Sequence, residues 1–358
     1  MKKVLALVMA LAMLLSMASF ASAEEGYSGD IKIWVAEATV DFTKEQVEAF
    51  KAANPQYANI NVIVEPVGEG DAANNVITDV EAAADIFGFA QDQLARMVAA
   101  DALMDVNPEY MDAVKANNDA GAVAAVTLGE TMYAYPMTSD NGYFLYYDKS
   151  VVSDPSTLEG ILADCEKAGK NFYFEINSGW YQTAFFFGAG CTLTYDTDDT
   201  GAIVDGTWDA ASAKEAFGDN YAATKLPTVA GFQLGGFRGF KMLGVKPQRD
   251  EAKMECCDAL AFFLTSEEVQ IARYNAVGWG PSNLNAQKNE AVQADEALSA
   301  LAAQRAFAVT QGQYPGEYWT LATGLGDDVL ADKLDDADDA TLLATLQQFQ
   351  DTAATYVK

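Results

Sequence analysis

Three tryptophans of this chain stand where a flat ring could meet another molecule. Trp180 follows Asn177-Ser178-Gly179, Trp208 follows Gly206-Thr207, and Trp319 lies near the start of a late helix. Small or polar neighbours at loop-to-helix junctions allow close approach to the backbone, and an indole face offers a stacking surface. Aromatic rings chiefly fill cores, so among five tryptophans and 16 tyrosines position alone does not separate a wall from a core. Carboxylates supply the complementary chemistry, because an ionised Asp or Glu only accepts hydrogen bonds. Asp140 sits in a polar loop just after Pro136, and Glu37, Phe89 and Asp92 fall at the carboxyl ends of predicted strands.

The missing side chains narrow the chemistry further. No histidine occurs anywhere, which excludes Ser-His-Asp and Cys-His catalysis and histidine-bound zinc. The four cysteines, Cys165, Cys191, Cys256 and Cys257, show no metal-ligand or redox spacing. They read as reduced, packed thiols, although export would permit one bridge. Asp196-Thr-Asp198-Asp199-Thr-Gly201 begins like a calcium loop. Its twelfth position is Thr207 rather than a glutamate, so an acidic hairpin is the better reading. No cofactor and no metal are expected.

The elements that must position these residues start after a leader. Lys2 and Lys3, the apolar run Val4 to Leu15 and Ala21-Ser22-Ala23 have the pattern of an export signal over residues 1–23. No cysteine follows the cleavage site, so no lipid anchor is expected. The remainder carries 20 basic and 52 acidic residues, a net charge of −32. Such a surface repels nucleic acid and anionic membranes. Beyond the leader, 31–35 and 60–66 read as strands around a helix that a Thr43-Lys-Glu-Gln46 capping box opens and Asn54-Pro55 closes. Residues 71–84 read as a helix, 85–89 as a buried strand and 92–100 as a helix. This alternation indicates a parallel sheet, with ligands expected beyond the carboxyl ends of its strands.

Farther along, Thr131 to Tyr135 is strand-like, Pro136 should stop ladder pairing, Thr138 to Asn141 reads as a loop, and Tyr143 to Tyr147 as the next strand. That pattern fits a passage between two sheets, and equally an ordinary connection inside one domain. A helix over 156–168, a strand over 171–176, an aromatic helix ending at Gly188, a strand over 202–205 and a helix capped by Asp209 follow. Leu226 to Phe240 reads as a flexible return, Lys241 to Val245 as a strand, and 251–264 and 266–275 as helices.

Several segments together carry a resemblance: DIFGFAQDQL, GETMYAYPMTSDNGYFLYYDK, FGAGC, VDGTWDA, GGFRGFKMLGV, GWGPSN and YWTLATGLG. In this order they are similar to the maltose/maltodextrin-type solute-binding proteins of ABC transporters, the family 1 extracellular solute-binding proteins. The resemblance implies an α/β fold of two lobes joined by crossing segments and closing by hinge motion. Lobe 1 would comprise 27–136 and 240–284, and lobe 2 would comprise 137–239 and 290–358. It implies Asp92 and Asp140 as acceptors of sugar hydroxyls, Trp180, Trp208 and Trp319 as stacking platforms, Phe89 where relatives often carry tryptophan, and Glu37 as a further contact. Trp279, in the GWGPSN loop, is expected to pack structurally. Between Tyr195 and Ala202 the chain lacks several dozen residues usual in the family, so the second lobe is expected to be trimmed.

The function implied is an exported, monomeric receptor that binds an oligosaccharide and hands it to membrane permease subunits, with no chemistry of its own. Its location would be periplasmic or extracellular. The alternative is a secreted glycoside hydrolase using two carboxylates, although no segment suggests a buried acid of raised pKa. A structural or adhesive module is discouraged by the absence of repeats and Ser/Thr-rich stalks.

Overall fold

The computed structural model describes residues 26–188, 207–312, 314 and 316–356. The expected leader, acidic hairpin, 202–205 strand and trimmed stretch lie outside the described residues, as does the Asp209 side chain expected to cap a helix.

Alternation of apolar strands and amphipathic helices builds the first half as the sequence predicts. Strand β1 (Asp30–Val35) buries Ile31, Ile33 and Val35 and pairs in parallel with β2 (Asn61–Pro66) and β3 (Ile86–Ala90). Helix α1 (Val40–Ala53) covers them through Val47 and Phe50. It starts earlier than the capping-box reading places it, and Thr43 is a buried interior residue rather than a cap. The helix predicted over 71–84 is regular only over Ala72–Thr78.

Two longer strands hold the molecule together, with the short antiparallel pair β5 (Leu145–Asp148) and β6 (Tyr221–Thr224) between them in the chain. Strand β4 (Ala134–Gly142) is buried throughout and antiparallel to β7 (Gly236–Val245). The expectation that Pro136 ends the ladder and that 138–141 form a loop is overturned. Register shifts on either side of Lys241 absorb the irregularity, which is how a proline without an N–H is accommodated in a sheet. The glycine-rich return also proves to be strand, because Gly236 to Arg238 pair in parallel with β8 (Ala308–Thr310). The other end of β7, Lys241 to Val245, pairs antiparallel with β3. The sheet therefore runs β8-β7-β3-β1-β2, with β4 on the remaining side of β7.

Burial divides along these same strands. Ala134, Tyr135 and Met137 of β4, with Met242, Leu243 and Val245 of β7, enter a core shared with β1, β3 and helix α2 (Glu251–Leu264). Tyr143, just past β4, and Phe237 enter a second core with Leu226, Tyr314, Tyr318 and Phe349. Helices α3 (Gly316–Leu330) and α4 (Asp339–Ala354) supply much of that second core. The 171–176 segment forms no strand: it finds no ladder partner among the described residues, and Tyr173 is exposed.

Candidate functional site

A connected set of rings runs through the second core and reaches Trp208 on the first. Trp180, half-buried, meets Tyr143 edge-on at 4.7 Å between centroids and Trp208 at 5.7 Å. Phe237 lies 6.3 Å from both Trp180 and Trp319, and Tyr314 lies 5.7 Å from Trp319. Gly179 permits this arrangement: a Cβ there would sit 2.7 Å from Ala322 and 3.3 Å from the Trp319 ring. The three expected platforms are thus brought into one aromatic assembly. Trp180 and Trp319 pack on the second core, whereas Trp208 packs on the first.

Asp92 is buried in the turn of 3-10 helix that follows β3. Burial pushes its carboxyl up to about 6, against its own backbone N–H and the Arg96 charge, which lower it. Its Oδ1 is buried without a hydrogen-bond partner among the described residues. A buried carboxylate oxygen with spare acceptor capacity suits a donor brought by a ligand. Its charge also acts on the Tyr314 hydroxyl, helping burial to raise that group.

Gln311, which carried no sequence signal, joins the parts. Its side-chain oxygen accepts from Trp180 Nε1 at 3.4 Å and from Asn141 Nδ2 at 3.3 Å. Its backbone carbonyl accepts from Gln91 Nε2 at 2.5 Å. One residue therefore touches the turn after β3, the crossing strand β4 and the Trp180 loop.

Other expected contacts fall elsewhere. Phe89 is fully buried in the first core, 6.0 Å from Phe87, and a Cβ on Gly244 would sit 2.9 Å from its ring. Its place on a ligand wall is therefore corrected to a core position. Asp140 is also buried, and its Oδ2 accepts from the Gly280 N–H and the Thr207 hydroxyl, both at 2.5 Å. That oxygen is engaged within the protein, while Oδ1, like that of Asp92, is buried without a partner among the described residues. Glu37 is exposed on the short helix Glu37–Thr39 and makes no contact with the ring assembly that the structure records. Trp279 is buried in the first core, as its structural reading requires.

The chain matches the model of the bacterial extracellular solute-binding proteins over residues 45–200 and 188–300. It belongs to that family. The matched stretches meet at 188–200, next to where the sequence reading places the shortening. Among solved structures, one determined with acarbose is 27% identical, with a TM-score of 0.78 over 92% of this chain and 98% of that one. The maltodextrin-binding protein MalE1 from L. casei BL23 is 24% identical, with a TM-score of 0.69 over 92% and 99%. A Thermus thermophilus maltotriose-binding protein bound with maltotriose is 18% identical, with a TM-score of 0.74 over 91% and 98%. No curated protein sequence matches the chain. The fold is that of the two-lobed sugar-binding proteins.

Two buried carboxyls of raised pKa are present, contrary to the sequence reading. Besides Asp92, Asp258 is pushed up to about 6 by burial, but its oxygens are engaged by the Tyr135 hydroxyl and the Asn107 N–H. No described helix is long and apolar enough to cross a membrane.

Proposed function

We propose that this chain is an exported receptor for malto-oligosaccharide-like ligands, closing two lobes on the sugar and delivering it to the permease of an ABC transporter. The observation that carries this reading is the joining of Trp180, Trp208 and Trp319 in one ring assembly, with Asp92, buried with a free acceptor, acting on the hydroxyl of its Tyr314 member. Sugars present apolar C–H faces and a rim of hydroxyls, and a stacking ring beside a buried acceptor answers both. The similar structures determined with acarbose and with maltotriose support the ligand class.

Lobe 1 is assigned to 27–136 and 240–284, and lobe 2 to 137–239 and 290–358, with β4 and β7 as the crossings. The division of β7 between two cores, and the passage from the first core in β4 to the second at Tyr143, support such boundaries, although Met137 packs with the first. The protein acts as a monomer and reaches the cell exterior or periplasm through its leader. A shortened second lobe and Glu37 as a peripheral contact belong to the same reading.

Calorimetric titration against a panel of malto-oligosaccharides, other glucans, xylans and mannans tests it, with small-angle scattering of the same samples. Saturable binding of a glucan with a fall in radius of gyration is expected. Failure to bind any member of the panel, or turnover of chromogenic glycosides, would overturn it.

A further inference from the structure

Lys241 is a buried residue of the crossing strand whose charge finds no counter-charge among the described residues. It is 7% exposed, and no ion pair or hydrogen bond of its ammonium occurs among the described residues. Lys246, as deeply buried at the end of the same strand, shows the usual solution. Its ammonium reaches the carbonyls of Glu81 and Ala83 at 3.2 and 2.9 Å and Asp85 at 3.8 Å. Buried charges are ordinarily paired in that way.

Lys241 has aromatic faces instead. Its Nζ lies 4.7 Å from the centroid of Trp208 and 4.0 Å from that of Trp279, within the range of a cation–π contact on each side. The two rings come from distant segments that one oxygen aligns. Asp140 Oδ2 accepts from Thr207, which precedes Trp208, and from Gly280, which follows Trp279. Trp208 in turn lies 5.7 Å from Trp180. A continuous stack, Trp279–Lys241–Trp208–Trp180, thus leads from the first core to the aromatic assembly. Lys241 also marks the irregular point of the crossing, pairing with Ala90 on one side and Thr138 on the other between two register shifts.

We propose that Lys241 is a positioning residue for carbohydrate binding, its ammonium fixing the Trp208 indole between itself and Trp180 so that the platform is set before ligand arrives. This rests on the receptor reading above. Preorganisation of this kind raises affinity by removing the cost of ordering the ring on binding. The ammonium acts through Trp208, so the energetic signature is coupling between those two residues.

The test is a double-mutant cycle with Lys241→Met and Trp208→Leu in the full chain, read in two ways. In urea unfolding without sugar, the two substitutions should be non-additive by roughly fivefold or more in the unfolding constant. In titrations with the best-binding glucan, Lys241→Met should weaken binding about tenfold in wild type and less than about twofold in the Trp208→Leu background. Lys241→Arg should restore most of the loss, since a guanidinium also stacks on indoles. An equal loss in both backgrounds would overturn the proposal and make Lys241 a direct ligand contact or a general support. Additive unfolding would overturn it as well. If no sugar binds wild type while the unfolding cycle is coupled, the clasp stands, and the receptor reading and the role built on it fail.

Discussion

Tyr135 donates its hydroxyl to Asp258 at 2.5 Å, pinning the crossing strand β4 to helix α2 inside the first core. Burial holds that carboxyl at about 6, even though the Tyr135 hydroxyl and the Asn107 N–H both favour the ionised form. Asp92 sits at about 6 for the same leading cause.

These two groups fix the sign of the acid response. A carboxyl whose folded pKa is raised holds its proton more tightly in the native state than in the unfolded chain. The strain of keeping it ionised is full above the folded value and is relieved as pH falls from about 6 towards the unfolded value near 4. Stability should therefore rise between pH 7 and pH 4.5, by an amount on the order of 2–3 kcal/mol for each group taken alone. Asp92→Asn and Asp258→Asn should each flatten the profile in urea titrations. Sugar affinity should run the opposite way, falling as Asp92 is neutralised, because a charged acceptor makes the stronger hydrogen bond.

Removing the platforms should cost affinity. Trp180→Ala and Trp319→Ala are expected to weaken glucan binding by about 1–3 kcal/mol each, borrowing the scale for bases stacked on aromatic side chains. That corresponds to roughly five- to 150-fold in Kd. Fluorescence titration of each folded variant measures it, and unchanged binding in both would place the ligand elsewhere.

Asp140→Asn should behave as a structural change. Weakening the acceptor shared by Gly280 and Thr207 should lower stability by about 1–3 kcal/mol, with the best sugar's affinity changing less than that of Asp92→Asn. Chemical denaturation beside titration separates the two effects.

Phe89→Ala should open a cavity in the first core and cost about 3–5 kcal/mol of stability. Calorimetry at a temperature where the variant remains folded should find little change in affinity. A loss of binding matching that of the Trp180 variant would return Phe89 to the ligand wall.

Local pattern made much of the first lobe legible. The apolar runs of β1 and β3 and the 251–264 helix are set by residues within each element, and the structure keeps them to within a residue. The crossing strands were misread because Pro136 and Gly235–Gly239 are local breakers, while the pairing that overrides them comes from residues about 100 positions apart. The opposite error occurred at 171–176, whose β-rich composition finds no partner strand. For the site, Asp92 and the tryptophans stand out through their motifs, whereas the full burial of Phe89 is a tertiary property that no motif carries. Lys241 left one trace, a lone charge inside the apolar run GFKMLGV. Gln311 left none, since its part depends on three segments meeting.

The placement of β7 sets the order in which the chain can fold. Strand β3 ends at Ala90 and β4 at Gly142, yet the strand that both need for pairing runs from Gly236 to Val245. A chain emerging from its N-terminus therefore cannot join β3 to β4 in its central sheet until about two-thirds of it has been made. Long-range pairings of this kind are slow to form. Both cores take residues from that strand, so neither can be completed until it is in place.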